Sequence, residues 1–296
     1  MKKYLALDVG GSSVKYAVMT ENLEFLEHGK VLISTESKEE LFGPLKELFD
    51  QYHEGIEGVA MSIPGMLDRH RGFAYTGGAF RWISNMEYAK ELEELFGVPV
   101  TICNDAKAAA MAEMGYGNLQ GIDNAVVIIL GTGIGGAVVA NGQLLDGKHF
   151  SAGEFSSLRG DYLQREEDKG DRFASTNGIR GVMKVMKEYT GLDNIDALQA
   201  FRMIREGNEQ ALAAMNHYCD MLAFHIYNLQ VVIDADRFVI GGGISNEPMF
   251  IGMVNEAVDR IFSTGRIPRP EVINCKFLSD ANLIGAVYNF RELKES

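Results

Sequence analysis

Residues 8–15 read Asp-Val-Gly-Gly-Ser-Ser-Val-Lys, and they separate two runs of apolar and β-branched residues, Lys3 to Val9 and Val14 to Thr20. This order predicts a strand, a tight turn and a second strand. Glycine lets backbone N–H groups converge on one point, as a bound phosphate requires. The turn is therefore either a plain β-turn or a phosphate-binding loop, whose residues would be Asp8, Gly10, Gly11, Ser12, Ser13 and Lys15.

Two further glycine-rich loops follow apolar strands later in the chain. Gly131-Thr-Gly-Ile-Gly-Gly136 comes directly after Ala125 to Leu130, and Gly241-Gly-Gly-Ile-Ser245 comes after Arg237 to Ile240. Each loop alone is as compatible with an ordinary turn as with a ligand site. Three such loops favour one phosphate-binding cleft, because strands that end at the same edge of an α/β layer bring their loops together. The candidate residues in the two later loops are Gly131, Thr132, Gly133, Gly135, Gly241, Gly242 and Gly243.

Two common nucleotide-binding motifs do not explain these loops. The pattern GxxxxGK[ST] of P-loop proteins is absent. Residues 131–136 satisfy GxGxxG, but a dinucleotide-binding fold needs a helix directly after that motif. Here an apolar run and the hairpin signal Asn141-Gly142 follow instead, so a Rossmann dehydrogenase is disfavoured.

The other elements are predicted from caps and breakers. We predict a strand at Glu24 to Ser34, a helix from the capping box at Ser37 to His53, and a strand at Val59 to Ile63 that ends at Pro64-Gly65. These are followed by a helix capped by Asn85 and ended by Gly97, a strand at Val98 to Cys103, and an alanine-rich helix from Asn104-Asp105 to Gly115. The rest of the chain is predicted to form a loop at 148–177, helices from Ile179 to Ile233, a strand at Glu271 to Phe277 and a helix from Asp280.

Length and charge narrow the class of protein. The 296 residues are long for one compact domain, and two lobes are expected. A weak internal repeat supports this, since the pattern of Leu7 to Lys15 recurs at Leu130 to Gly136.

The net charge of −13 argues against nucleic-acid binding, because an acidic surface repels the phosphate backbone. Three scattered cysteines and the lack of an 18-residue apolar run predict a cytoplasmic protein that neither binds nor crosses a membrane.

The three loops resemble the first phosphate, second phosphate and adenosine motifs of the actin-like ATPase and sugar kinase superfamily. Within it, Pro64-Gly65, Asn104-Asp105-Ala106 and Gly153-Glu154 resemble the ROK family of bacterial sugar kinases and repressors. The resemblance implies an α/β, two-lobed actin-like ATPase (ribonuclease H-like) duplication with an interlobe cleft. The expected divisions are an N-terminal lobe at 1–115 with sugar-site residues, a C-terminal lobe at 116–280 with the other two loops, and a C-terminal helix at 281–296 that packs back on the N-terminal lobe.

The resemblance also implies an activity, the ATP-dependent phosphorylation of a sugar hydroxyl, here expected to be the 6-hydroxyl of a hexose or glucoside. Asp105 would be the general base. Gly65, Asn104, Glu154 and Asp171 would bind the sugar, and Asp8 would position Mg²⁺ through water. Taken alone, Asn104-Asp105 would be interpreted first as a helix cap.

This chain departs from the family pattern in one region. Typical members carry Gly-Glu-x-Gly-His followed by a cysteine-rich zinc segment, whereas Ser157 replaces the histidine here. The stretch from Arg159 to Asp171 has neither cysteine nor histidine, so no zinc site is predicted. Zinc-free members include β-glucoside kinases, and we expect a β-glucoside or related disaccharide rather than free glucose. Phe80 and Trp82 could stack on a sugar face, or pack in the core.

Two alternatives remain open. The substrate could be glucose or N-acetylmannosamine. The chain could also be a non-catalytic, sugar-binding or regulatory member of the family. The repressors of the ROK family carry a helix-turn-helix domain before the first strand, and we expect no room for such a domain here because the first strand begins at Lys3. Intact phosphate loops and Asp105 favour catalysis. The resemblance further implies a homodimer.

Overall fold

The computed structural model describes residues 1–160 and 172–295. Within these ranges no helix is both long and apolar enough to cross a membrane. The strands are β1 (Lys3–Val9), β2 (Ser13–Thr20), β3 (Phe25–Leu32), β4 (Ile56–Ile63), β5 (Leu67–Asp68), β6 (Phe73–Thr76), β7 (Ser84–Met86), β8 (Val100–Asn104), β9 (Ala125–Leu130), β10 (Ile134–Ala140), β11 (Gln143–Leu144), β12 (Arg237–Gly241) and β13 (Glu271–Asn274). The helices are α1 (Lys38–Tyr52), α2 (Tyr88–Phe96), α3 (Asp105–Tyr116), α4 (Phe173–Asn177), α5 (Ile179–Thr190), α6 (Ala197–Arg205), α7 (Glu209–Ile233), α8 (Pro248–Phe262) and α9 (Ala281–Lys294).

The chain divides into two compact units. The first unit contains residues 1–117, 146–151 and 280–296, and the second contains 118–145 and 152–279. The segment 146–151 therefore belongs to the first unit, although the sequence-based division at 116–280 placed it in the C-terminal lobe. Helix α9 also belongs to the first unit.

The first unit is built on a five-stranded sheet in the order β3-β2-β1-β4-β8. β1 and β2 are antiparallel and pair Asp8 with Lys15, so the glycine turn between them lies at the end of a tight hairpin. β4 runs parallel to β1, and β8 runs parallel to β4. The ends of β1, β4 and β8 thus lie at one edge, where Asp8 pairs with Ser62 and Ser62 pairs with Cys103, the residue before Asn104.

The second unit repeats this arrangement, with a sheet in the order β11-β10-β9-β12-β13. β9 and β10 form the antiparallel hairpin, and β12 and β13 add in parallel on the other side of β9. Two sheets of the same order and the same strand directions confirm the internal duplication predicted from the loop motifs. The second and third glycine-rich loops lie at the ends of β9 and β12.

Helix α9 packs closely against α3, which is the helix that begins with Asn104-Asp105. A Cβ at Gly285 of α9 would overlap the backbone carbonyl of Ala108, and a Cβ at Gly115 of α3 would overlap the ring of Tyr288. At Gly285 only the absence of a side chain lets the two backbones come this close, and at Gly115 it leaves room for the Tyr288 ring. α9 also lies against β1, β4 and β8.

Several local predictions differ from the structure. Asn85 does not cap α2: it lies in β7 with a φ of 50°, and α2 begins after Glu87. β5, β6 and β7 form a small sheet that the sequence did not predict, because strands of two to four residues carry almost no periodic signal. The predicted loop at 148–177 contains a 3₁₀ turn at Phe155–Ser157 and the short helix α4.

The two aromatic residues considered for sugar stacking belong to the core of the first unit. Phe80 is fully buried. Trp82 makes edge contacts with Phe80 and Phe42 and lies 6.4 Å from Tyr88, ring centroid to centroid. The core-packing interpretation therefore holds for both rings.

Candidate active site

Asp8, at the end of β1, is held by two side chains from distant parts of the sequence. Its Oδ1 accepts hydrogen bonds from Ser62 Oγ at 2.8 Å and from Asn282 Nδ2 at 2.9 Å. The following turn is closed by Gly10 N, which donates to the carbonyl oxygen of Ser13 at 2.9 Å. These bonds fix the Asp8 carboxylate next to the first glycine-rich loop, with Oδ2 left for a ligand.

Asn104 serves as the N-cap of α3. Its Oδ1 accepts from the backbone N–H groups of Ala106 at 3.0 Å and Lys107 at 3.2 Å. Its amide Nδ2 donates to the carbonyl oxygen of Gly65 at 3.1 Å and also to the carboxylate of Asp105. The prediction that Asn104 caps a helix is thus confirmed. The same side chain also connects α3 to the loop after β4.

Gly65 occupies a position that only glycine can fill. Its φ is +129°, and a Cβ there would overlap the carbonyl oxygen of Thr76. The loop after β4 is therefore pressed against β6, and the Gly65 carbonyl is aimed at Asn104. The predicted sugar-site residues Gly65, Asn104 and Asp105 are brought together in the first unit.

Asp105 is the first residue of α3, and it is half-buried. Burial, with the negative charge of Asp8 as a smaller contribution, raises the pKa of Asp105 above its ordinary value. Hydrogen bonds to the carboxylate oppose this shift, including one from Ala106 N to Oδ1 at 2.8 Å. A carboxylate destabilised in this way is a stronger proton acceptor than an exposed one.

A buried charged cluster lies behind this start of α3. Lys107, whose side chain is 4% exposed, donates from Nζ to Asp146 Oδ1 at 3.1 Å. Arg69 contacts the other oxygen, Asp146 Oδ2, at 3.3 Å and Glu292 Oε2 at 2.7 Å. Such clusters add little to net stability but fix geometry, since each charge must keep its partner once buried. The cluster fastens the segment 146–151 to α3.

In the second unit, the loop at Gly131–Gly133 is closed by Gly131 N, which donates to Gly133 O at 3.0 Å. Gly135 continues directly into β10. The segment Gly153-Glu154 lies on β10, because Gly153 has a φ of +86° and a Cβ there would meet the carbonyl oxygen of Gly136 at 2.6 Å. Glu154 and Ser157 are both exposed.

Asp171, the remaining predicted sugar contact, lies outside the described residues, as does most of the stretch for which the absence of zinc was predicted. The segment that follows is anchored: Phe173 is fully buried and stacks on His225 at a centroid distance of 4.0 Å. Burial lowers the pKa of His225 to about 4, so this imidazole is neutral at physiological pH.

The adenosine-type loop follows β12. A Cβ at Gly241 would meet Cys275 Sγ at 2.7 Å, and Gly242, with a φ of +97°, has its Cα against the carbonyl of Leu130. Gly243 begins a 3₁₀ turn in which Ser245 Oγ donates back to Gly242 O at 2.8 Å. The glycines thus bring the loop into direct contact with the end of β9, where the second phosphate-type loop starts.

A cavity of about 410 Å³ lies between these two loops of the second unit. This volume is within the range of small-molecule sites. Its floor is formed by Val182, Phe201 and Tyr218, and its rim by Ile179 and Leu198, which are 47% and 69% exposed. The predicted residues Gly131, Thr132 and Gly243 line it, and Asp196, Asn246 and Glu247 add polar groups.

Sequence reasoning missed several of these residues. Ser62 and Asn282 hold Asp8 but are not part of a glycine loop, and their role depends on contacts over 54 and 274 positions. Ile179 is placed by its backbone N–H, which donates to Gly131 O at 2.9 Å. Ile179 was missed because the sequence shows it only as an apolar residue that follows Gly178.

Among residues 1–160 and 172–295, no group of three or more His, Cys, Asp and Glu side chains is arranged to ligate an ion directly. Asp8 has Oδ2 available while Oδ1 is anchored, an arrangement that suits Mg²⁺ held through water, since this ion keeps several of its waters.

The duplicated sheets with glycine-rich loops at their strand ends define a two-lobed actin-like ATPase fold of the ribonuclease H-like type. The chain belongs to the ROK family, whose family model matches residues 4–292. A β-glucoside kinase from Klebsiella pneumoniae is 28% identical to it over 99% of this chain and 98% of that protein.

Two solved structures are similar over the full length. A protein from Listeria monocytogenes described as a candidate N-acetylmannosamine kinase superimposes with a TM-score of 0.89 and 26% identity, covering 99% of this chain and 100% of the other. A ROK family protein from Streptococcus pneumoniae, solved in complex with sucrose, gives a TM-score of 0.87 with 26% identity and covers 99% of each chain.

Proposed function

We propose that this protein is an ATP-dependent sugar kinase that phosphorylates the 6-hydroxyl of a glucosyl unit, and that its substrate is a β-glucoside. The observation that carries the proposal is the half-buried carboxylate of Asp105 at the start of α3, whose pKa is raised and which lies in the same unit as Asp8 and the first phosphate-type loop. Such a base is what phosphoryl transfer to an alcohol needs.

Asp105 accepts the proton of the sugar hydroxyl as that oxygen attacks the γ-phosphorus of ATP. The new P–O bond forms, the bond to the β-phosphate oxygen breaks, and ADP leaves with the electron pair. Ala106 N donates to Asp105 Oδ1 at 2.8 Å and helps to hold the carboxylate that would accept this proton.

Asn104 and Gly65 position this base and the sugar. The Asn104 amide donates to Gly65 O and to the Asp105 carboxylate, so it would hold the base and the loop after β4 beside the sugar. Glu154 and Asp171 are proposed as further sugar contacts, because carboxylates accept hydrogen bonds from vicinal hydroxyls.

ATP is held by the glycine-rich loops and by the cavity of the second unit. Gly10 N and Gly131 N close their own turns, so the N–H groups of Gly11, Ser12, Thr132 and Gly133 are the ones proposed for phosphate oxygens, and Gly241–Gly243 suits the nucleoside. The apolar floor at Val182, Phe201 and Tyr218 suits the flat faces of a purine. Mg²⁺, when bound, neutralises charge on the β- and γ-phosphates, and Asp8 would hold one of its waters.

The choice of a β-glucoside is supported by the name of the Klebsiella relative, by the disaccharide bound to the Streptococcus protein, and by Ser157, a smaller side chain where the family has histidine. The test compares kcat/KM for cellobiose, glucose and N-acetylmannosamine in a coupled ADP assay. A clear preference for either monosaccharide would reject the β-glucoside and leave the kinase assignment in place.

The catalytic role has a direct test in Asp105→Asn. The amide keeps the size of the side chain but cannot accept the proton, so kcat should fall by about 10²–10⁴-fold while sugar affinity changes much less. Near-normal turnover in this variant would show that another group is the base. A wild-type protein that binds sugar but never produces ADP would favour the regulatory alternative.

We also propose that the protein acts as a cytoplasmic homodimer and carries no structural zinc. Light scattering of the purified protein would test the dimer. Elemental analysis after dialysis would test the metal, and zinc at one ion per chain would contradict the proposal.

A further inference from the structure

Three aromatic side chains meet in the first unit, outside the residues discussed for catalysis. The rings of Tyr75 and Phe150 are stacked, with centroids 5.5 Å apart and planes 20° from parallel. Phe73 meets Tyr75 edge-on at 4.9 Å, and Arg71 lies over Phe73 at 5.1 Å from its centroid. All three rings are half-buried, so part of this surface stays in contact with water.

Phe150 is held in place by its backbone. Its φ is +58°, a left-handed conformation that is rarely adopted by a residue with a large side chain. Its carbonyl oxygen is 3.5 Å from Nζ of the buried Lys107, which is also bound to Asp146. A strained residue persists only where its surroundings fix it, and such residues concentrate at functional sites. The stacked pair is therefore a rigid surface.

Contacts within the first unit connect this surface to the sugar-site residues on two sides, through Tyr75 and through Phe150. Tyr75 N donates to Met66 O at 3.0 Å, and the next residue, Thr76, has its carbonyl against the Cα of Gly65. Gly65 O accepts from Asn104. On the other side, Lys107 contacts Phe150 and lies two residues after Asp105. Both rings are thus fixed by the segments that fix the proposed base.

From this placement we propose that Tyr75 and Phe150 form the subsite for the aglycone of the substrate, the second sugar ring of a β-glucoside. The inference rests on the proposed kinase function and specifies which residues select a glucoside over a free hexose. A pyranose ring has apolar C–H faces that pack on a flat aromatic ring, and a rigid platform loses little conformational entropy when it binds.

The test measures kcat/KM and calorimetric binding for cellobiose and for glucose in the full-length chain. Tyr75→Ala and Phe150→Ala should each lower kcat/KM for cellobiose by about three- to tenfold, the loss expected for one aromatic contact, and leave kcat/KM for glucose within about twofold. Tyr75→Phe keeps the ring and should keep the preference. Tyr189→Ala removes an exposed tyrosine of the second unit and should change kcat/KM for neither sugar.

Two results would overturn the subsite: an equal loss for both sugars, which would mean that the rings only support the fold, or no loss for either. If the wild-type chain phosphorylated no sugar, the proposed function would fail. Calorimetry would still decide the subsite in that case, because weaker binding of cellobiose alone in Tyr75→Ala supports it and unchanged binding rejects it.

Discussion

Asn282 Nδ2 donates a hydrogen bond to Asp8 Oδ1 at 2.9 Å, joining the last helix to the first strand over 274 positions of sequence. Ser62 Oγ donates to the same oxygen at 2.8 Å. Two neutral donors on one oxygen hold this carboxylate in place at the start of the first glycine-rich loop. The orientation of Asp8 thus depends on α9 as well as on the central sheet.

Asn282→Ala should weaken this arrangement without removing the carboxylate. One hydrogen bond is worth about 1 kcal/mol, so we expect KM for MgATP to rise about three- to tenfold while KM for the sugar changes little. Lys294→Ala is the control on the same helix, since it removes only an exposed ion pair to Glu93. Equal increases in both KM values would show that α9 supports the whole unit rather than Asp8.

Asp105→Asn should stabilise the fold at neutral pH. Because the pKa of Asp105 is raised in the folded state, the folded protein binds more protons than the unfolded chain, and its stability falls as pH rises through that pKa. Asparagine carries no charge, so the gain in Tm should be present at about pH 8 and disappear at about pH 3, below the ordinary aspartate pKa of about 3.9. For the same reason, the acid limb of kcat/KM in the wild type should lie above that ordinary value. A variant that is less stable than wild type at pH 8 would contradict the cost of burying this carboxylate.

Ile179 and Leu198 at the rim of the cavity should govern nucleotide affinity. Each leaves apolar surface exposed that a purine would cover. Leu198→Ala and Ile179→Ala should each raise KM for ATP by about three- to tenfold, equivalent to about 1 kcal/mol of lost apolar burial, with stability nearly unchanged. Leu192→Ala, which alters a leucine that is 48% exposed and does not line the cavity, is the matched control. An unchanged KM for ATP in both rim variants would place the nucleotide elsewhere.

Gly242 and Gly243 should respond differently to alanine. A Cβ at Gly242 would overlap the backbone of Leu130, and the φ of +97° adds strain of about 1–3 kcal/mol, so Gly242→Ala should lower the free energy of unfolding by at least that amount. A Cβ at Gly243 would meet no described atom within 4 Å. Gly243→Ala should therefore keep its stability and raise KM for ATP, because Gly243 lines the cavity. Urea unfolding of both variants separates the two effects, and equal destabilisation would refute the assignment of the clash to Gly242.

The sequence predicted those elements of the fold that depend on residues close to each other in the chain. Apolar strands followed by glycine gave β1, β9 and β12 with their loops, and the repeat between Leu7–Lys15 and Leu130–Gly136 predicted two sheets of the same topology. Ser37 and Gly97 mark helix ends as predicted, with Ser37 Oγ accepting from Glu40 N and Gly97 in the left-handed region.

The remaining features depend on contacts that no local pattern reports. Asn85 has the composition of a cap, but tertiary contacts place it in β7. The cluster of Lys107, Arg69 and Asp146 joins three segments, and the segment 146–151 lies in the first unit because of it. The roles of Asn282 and Ile179 likewise appear only when distant strands and helices have been assembled.

Helix α9 gives the synthesis of this protein a definite order. The first unit needs α9 against α3 and β1, but α9 begins at Ala281, whereas the second unit ends at residue 279. On the ribosome, all residues of the second unit are made before the first unit receives its last helix. Until then, the face of α3 and the central strands that α9 covers is exposed, so the N-terminal unit is the last to complete its fold although domains usually fold in the order of their synthesis.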